Sequence, residues 1–203
     1  MTKALRDRWK DGSFVLEMKD SIKAIFTDKV FHQPADLRGI TVGLDGAIPE
    51  LIHANFCDVN LSGQLLSHSR ISCSFSDGKF VNVDFDRSFF DTCRFLRSYF
   101  KECKFNTANL NSSTLDDAIF KDCVFQSAKI SGRGFTEYGG KRITFNNVSF
   151  KDCLFKNVQI RGCKFIDCDF DRASFHNCII TGTSFQGSMP LSTAFSRCEG
   201  QVL

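Results

Sequence analysis

The chain has 203 residues, a formal charge of +3, 23 Phe, ten Cys and only three Pro. That length holds one good-sized domain and a small appendage; the composition excludes a disordered chain, and the charge is too small to argue nucleic-acid binding from electrostatics. No run of eighteen apolar residues is present and "MTKALRDRWKDGS" lacks the apolar core of an export signal, so the expectation is a cytoplasmic protein whose cysteines are free thiols.

Residues 1–34 are predicted to form a helical N-terminal cap. Val15, Met18, Ile22, Ile25 and Phe26 recur at spacings of three and four, which suits one face of a helix. Ser13 is the expected cap of that helix, and Trp9 is expected to pack onto the start of the repeat. Residues 35–50 begin that repeat irregularly. Leu51, Phe56, Leu61, Leu66 and Ile71 then fall five apart. Only four steps separate Ile71 from Phe75, so one residue is missing and a bend or defect is expected there. From Phe75 to Phe195, 23 of 25 positions at steps of five are Phe, Leu or Ile; the exceptions are Gly140 and Pro190. Nine of the ten Cys lie two residues before a position of this register, continued to residue 200 for Cys198. "RGFTEYGGKR" (133–142) interrupts the pattern, with Arg133 and Tyr138 in slots otherwise small and Gly140 in a large one. A loop over 133–142, returning at Ile143, is predicted. "GSMPLS" (187–192) is a further irregularity.

A step of five rotates a helical side chain by about 140°. In a flat strand it sends successive Phe to opposite faces. Either choice exposes half of the Phe, a large loss of apolar burial. The remaining solution is a solenoid that turns a corner every five residues. Each side then points one large and one small residue inward, and four sides make a coil of twenty residues.

The segments "ADLRG" (35–39), "ANFCD" (54–58), "ANLNS" (108–112), "CRFLR", "CKFNT", "CVFQS", "CLFKN" and "CDFDR" resemble the pentapeptide-repeat family, over roughly 35–203. The resemblance implies an all-β fold, a right-handed quadrilateral β-helix. It also implies a non-catalytic protein without cofactor. Some members of that family protect DNA gyrase and topoisomerase IV by resembling a DNA duplex. A positive net charge and the lack of a C-terminal helix weigh against that role here.

Cys73 and Cys93, Cys103 and Cys123, and Cys178 and Cys198 are each twenty apart and should stack on adjacent coils. Their placement follows from the repeat, and no CxxC pair suggests a metal or redox centre. His32, His53, His68 and His176 follow no ligand spacing. "GFTEYGGKR" fails the phosphate-loop pattern. Lys151 should meet Asp171, and Asp152 should meet Arg172. Lys101 should meet Lys121 and Glu102 Asp122, with the repulsion relieved diagonally. The position before each central residue should face outward; Phe89, Tyr99, Ile119, Val124, Leu154 and Ile179 occupy it. Tyr99 and Ile119, twenty apart, should adjoin. Phe89, Tyr99, Ile119 and Val124, with Arg133, Phe135, Tyr138, Lys141 and Arg142 of the loop, are the candidate partner-binding residues. The expected partner is a protein. Because Lys and Arg are interleaved with acids along the chain, direct nucleic-acid binding is not expected, and the oligomeric state is left open.

Overall fold

In the computed structural model, which describes residues 2–28, 33–44, 48–52, 55–132 and 138–200, the five-step register becomes four walls around one axis. All strand pairs are parallel. The second wall is a six-stranded sheet whose central residues are Phe80, Phe100, Phe120, Phe145, Phe165 and Phe185. The fourth is an eight-stranded sheet centred on Val42, Ile71, Phe90, Leu110, Ile130, Phe155, Phe175 and Phe195. The first wall (Phe56, Phe75, Phe95, Leu115, Gly140, Ile160, Ile180) and the third (Leu66, Phe85, Phe105, Phe125, Phe150, Phe170) are held mainly by single bridges. The fold is thus a parallel β-solenoid with a short helical region at its N-terminus.

The axis is filled by rings. Phe80, Phe100 and Phe120 stack with centroids 4.5 Å apart at each step. Neighbouring walls meet edge to face, as in Phe95 against Phe100 at 5.5 Å and 70°. The small slot has a second use besides making room. Ser88 Oγ donates to Leu66 O at 2.7 Å, and Ser98 Oγ to Phe75 O at 2.8 Å. Cys93, Cys103 and Cys178 thiols donate likewise to Ile71 O, Phe80 O and Phe155 O. A small residue with a donor therefore fastens each coil to a carbonyl of the one before.

Corners form because the second residue after each central one takes a left-handed conformation, as at Asp77, Arg97, Asp117 and Arg142 (φ +55° to +61°). Twenty-one non-glycine residues do so among those described. This conformation is costly for most side chains, and the ladder offsets it. Asp77 N–H donates to Leu96 O at 2.8 Å, and Arg97 N–H to Asp116 O at 2.9 Å. The missing residue between Ile71 and Phe75 is one such corner: no left-handed residue occurs there, and partners in that coil are nineteen apart, as in Arg70 and Phe89.

The second interruption keeps the phase. Ile130 pairs with Phe155 and Phe120 with Phe145, so this coil holds 25 residues, one pentapeptide more. The first half of the predicted loop, 133–137, lies outside the described residues. The second half differs from expectation: Gly139–Lys141 is a strand paired with Gln159–Arg161. The chain therefore rejoins the coil before Ile143. Gly140 leaves the large site empty, and buried Ile143, in a small slot, fills part of it; its Cδ1 would lie 2.8 Å from a Cβ on Gly140. A cavity of about 10 Å³ remains beside them.

At the N-terminus, helices run over Thr2–Asp7 and Gly12–Ile22, the second continuing as a π-helical turn, Lys23–Thr27. Asp11, not Ser13, caps the second helix; its carboxylate accepts from Ser13 N at 2.9 Å. Ser13 is two positions too late for that role. Ile22, Ile25 and Phe26 are buried, and Phe26 meets Phe56 at 4.9 Å. Buried Trp9 donates its indole N–H to Arg38 O at 2.8 Å. Arg8 grips Asp36 through two nitrogens, and Arg38 grips the same carboxylate from the other side. These two guanidiniums, Arg38 first, hold the Asp36 carboxyl well below the usual carboxylate range.

Candidate interaction surface

Because phenylalanines fill the axis, the surfaces open to a partner are the outer walls, the corners and the cap. On the second wall, Tyr99 and Ile119 are direct cross-strand partners, as the spacing predicted. Ile119 is 45% exposed and Tyr99 half-buried. The six strands of this wall carry Lys79, Lys101, Lys121 and Lys164 and no acidic residue. Carboxylates return at its corner with the third wall, where Lys101 Nζ lies 3.2 Å from Glu102. That contact runs along the chain, not diagonally between coils.

The other candidate residues are dispersed. Val124 bridges Lys104 and Ser149 on the third wall. Phe89 pairs with Arg70 and Asn109 on the fourth wall, opposite Tyr99. Tyr138 is half-buried beside the first wall, where its carbonyl accepts from Gln159 N at 2.7 Å. Lys141 is exposed on the strand after it. Arg142 sits at a corner, its Nε and Nη2 on Asp117 at 2.5 and 2.6 Å. Arg133 and Phe135, like His32 and His53, lie outside the described residues.

The Arg142 contact belongs to a column along one corner. Arg97 clasps Asp77 through Nε and Nη2 at 2.7 and 2.6 Å. Asp117 and Arg142 follow in the next coils, so charge alternates down the edge. The guanidinium hydrogen bonds lower the pKa of Asp77 and Asp117. Periodicity marked these positions as solvent-facing; the left-handed corner is what aims them along the solenoid. The predicted pairs Lys151–Asp171 and Asp152–Arg172 form, at 3.5 and 2.6 Å.

All ten cysteines are free thiols, eight of them buried; Cys57 and Cys198 are half-buried. Burial raises the thiols of Cys93 and Cys178 to about 12 and that of Cys168 to about 11. Cys123 is raised by its hydrogen bond to Cys103 and by burial. Such thiols are poor nucleophiles. Among the described residues no group of three or more His, Cys, Asp or Glu is placed to hold a metal ion. No helix among them is long and apolar enough to cross a membrane. No periodicity or motif signalled a groove of about 420 Å³ between the second helix and Ile48–Glu50, lined by Val15, Leu16, Ile22 and Pro49.

Residues 145–189 match the family model described as pentapeptide repeats (9 copies). That segment is a run of pentapeptide repeats. The match spans the most regular part of the solenoid; the geometry carries the same five-residue unit back to the first coils. No curated protein sequence matches the chain significantly. It is similar to a trypsin-treated form of QnrB1, a plasmid-mediated fluoroquinolone resistance protein (13% identity, TM-score 0.40, covering 83% of this chain and 92% of that one). It is also similar to HetL, a pentapeptide-repeat protein involved in heterocyst differentiation regulation from the cyanobacterium Nostoc sp. strain PCC 7120 (12% identity, TM-score 0.31, 93% of each chain). A third likeness is Rfr23 from the cyanobacterium Cyanothece 51142 (12% identity, TM-score 0.31, 70% of this chain and 93% of that one). At these scores the likenesses carry no functional argument.

Proposed function

We propose that this protein is a non-catalytic scaffold that binds a protein partner on its second wall. The observation that carries the reading is the direct pairing of Tyr99 with Ile119 on the outer face, flanked by four lysines and no acid in the same sheet. A tyrosine and an aliphatic side chain in a basic frame make a small anchor for an apolar, acid-bearing surface. The filled axis supports the non-catalytic part, because it offers no enclosed cleft for a substrate.

A DNA-mimicking, topoisomerase-directed role would need a continuous acidic stripe. The most acidic wall, the third, holds Asp84, Asp86, Asp169 and Asp171, but Lys104 and Lys151 stand between them. The protein-scaffold reading therefore has the better support.

The test is affinity capture with wild type, a Tyr99→Ala/Ile119→Asp double variant and an Asn109→Asp control on the opposite wall. A specific partner should be retained by wild type and the control and lost by the double variant. Equal capture by all three rules out the second wall.

A further inference from the structure

Along the sequence the basic residues alternate with acids, yet the fold sorts them. Among the described residues the fourth wall, with its two corners, carries Arg70, Arg87, Lys129, Lys156, Arg172 and Arg197 against Asp91 and Asp152. That excess is larger than the +3 of the whole chain. Arg172 is held by Asp152 and Asp171. The other five cations have no carboxylate partner among the described residues, and Arg70, Arg87, Lys129, Lys156 and Arg197 are all exposed. Asp91 accepts from Asn111 Nδ2 at 2.6 Å, which spends part of its charge within the wall.

Four of these five cations form two groups, and Arg197 stands at the corner after the wall's last strand, Phe195–Ser196. Arg70 and Arg87 flank the half-exposed ring of Phe89, Arg70 as its cross-strand partner and Arg87 two residues before it. Lys129 and Lys156 lie on adjacent strands, since Lys129 pairs with Leu154. Between the groups runs the strand Asn109–Asn111, whose outward side chains are both amides. Two strand spacings, about 10 Å, separate Phe89 from Lys129. Cations, amides and hydroxyls are the side chains that hold phosphate oxygens. A ring among them offers a platform for an unpaired base. Among the described residues the wall projects no helix or hairpin that would enter a duplex groove.

We propose that the fourth wall binds the backbone of a single-stranded nucleic acid, with Arg70, Arg87, Lys129, Lys156 and Arg197 on phosphates and Phe89 stacking on a base. This surface is opposite the one proposed for a protein partner, so the two readings stand or fall separately.

The test is fluorescence anisotropy of the full chain with a labelled 20-nucleotide oligothymidylate, from 50 to 200 mM salt. Five phosphate contacts predict a slope of log affinity on log salt of about −3.5, hence a loss of roughly 100-fold over that range. Lys129→Gln/Lys156→Gln should make the slope shallower by about 1.4. Phe89→Ala should lower affinity at least several-fold with the slope unchanged. Lys121→Gln/Lys164→Gln, on the second wall, should change nothing. The proposal is overturned if no binding occurs at 50 mM salt, if the second-wall pair weakens binding as much as the fourth-wall pair, or if the matching duplex binds as tightly as the single strand. Displacement of the oligonucleotide by polyglutamate at equal charge concentration would reassign the wall to an acidic protein.

Discussion

Replacing Phe100 by Ala removes the middle ring of the tightest stack in the axis. Phe100 is 1% exposed and lies between Phe80 and Phe120, both at 4.5 Å and within 6° of parallel. It also meets Phe95 and Phe105 edge to face, at 5.5 and 5.8 Å. Removing a buried Phe side chain costs about 3–5 kcal/mol, transfer and cavity terms together. Breaking two stacks and two edge contacts places this site near the top of that range, at about 5 kcal/mol. Phe100→Leu fills most of the volume and loses only the ring contacts; Leu61, Leu66, Leu110 and Leu115 already serve as central residues. Its cost should be about 1–2 kcal/mol. Phe185 stands in the last coil, half-buried and stacked on one side only, by Phe165 at 4.9 Å. Phe185→Ala should therefore cost less than Phe100→Ala. Guanidinium unfolding followed by circular dichroism gives all three values. A central break should also broaden the Phe100→Ala transition, because coils touch only their neighbours. The reasoning fails if Phe100→Ala costs less than about 1 kcal/mol, or if Leu and Ala at position 100 cost the same.

Native labelling with a thiol reagent should modify Cys57 and Cys198 quickly and leave the eight buried cysteines protected until unfolding, as read by mass spectrometry. Asp36→Asn should loosen the cap by about 1 kcal/mol at neutral pH, a figure discounted for the exposure of Asp36. The folded pKa of Asp36 is depressed, so its contribution is complete above the ordinary value near 3.9 and is lost as pH falls through the folded one. Wild type and Asp36→Asn should accordingly converge in strong acid, with Trp9 fluorescence as the reporter. Deleting 133–137 removes one whole pentapeptide and restores a coil of twenty residues, so the variant should fold with an unfolding midpoint within a few degrees of wild type. Deleting only 133–136 shifts every later residue by one position and should abolish cooperative unfolding.

The core was legible because its signal is redundant. Phe75 to Phe195 repeat one instruction, and no neighbour can outvote a ring that every coil needs inside. The outward pairing of Tyr99 with Ile119, and of Asp152 with Arg172, followed from counting twenty. Counting failed where the unit itself changed. Tyr138 and Gly140 looked like loop residues because each misfits its slot. The strand Gly139–Lys141 forms nonetheless, because Ile143 fills the volume Gly140 leaves and Gln159–Arg161 supplies its hydrogen-bond partners. Asp11 outranked Ser13 as a cap because the helix begins two residues earlier than a Ser13 cap would set it. Arg142 and Lys141 looked alike in sequence. Only the left-handed corner aims Arg142 at Asp117, 25 residues earlier, and leaves Lys141 exposed.

By itself the sequence determined the period, the filling of the axis and which side chains face out, since these depend on polarity repeated at fixed spacing. Across the two irregular coils, the tertiary structure decided which outward residues share a wall. That depends on how many residues each coil contains, and the counts of nineteen and 25 in two of them move every later residue relative to earlier ones. Phe89 and Tyr99, ten apart, come to lie on opposite walls. Lysines and arginines that alternate with acids along the chain are gathered on the fourth wall. Charge acts through space, and the coil sets the distances.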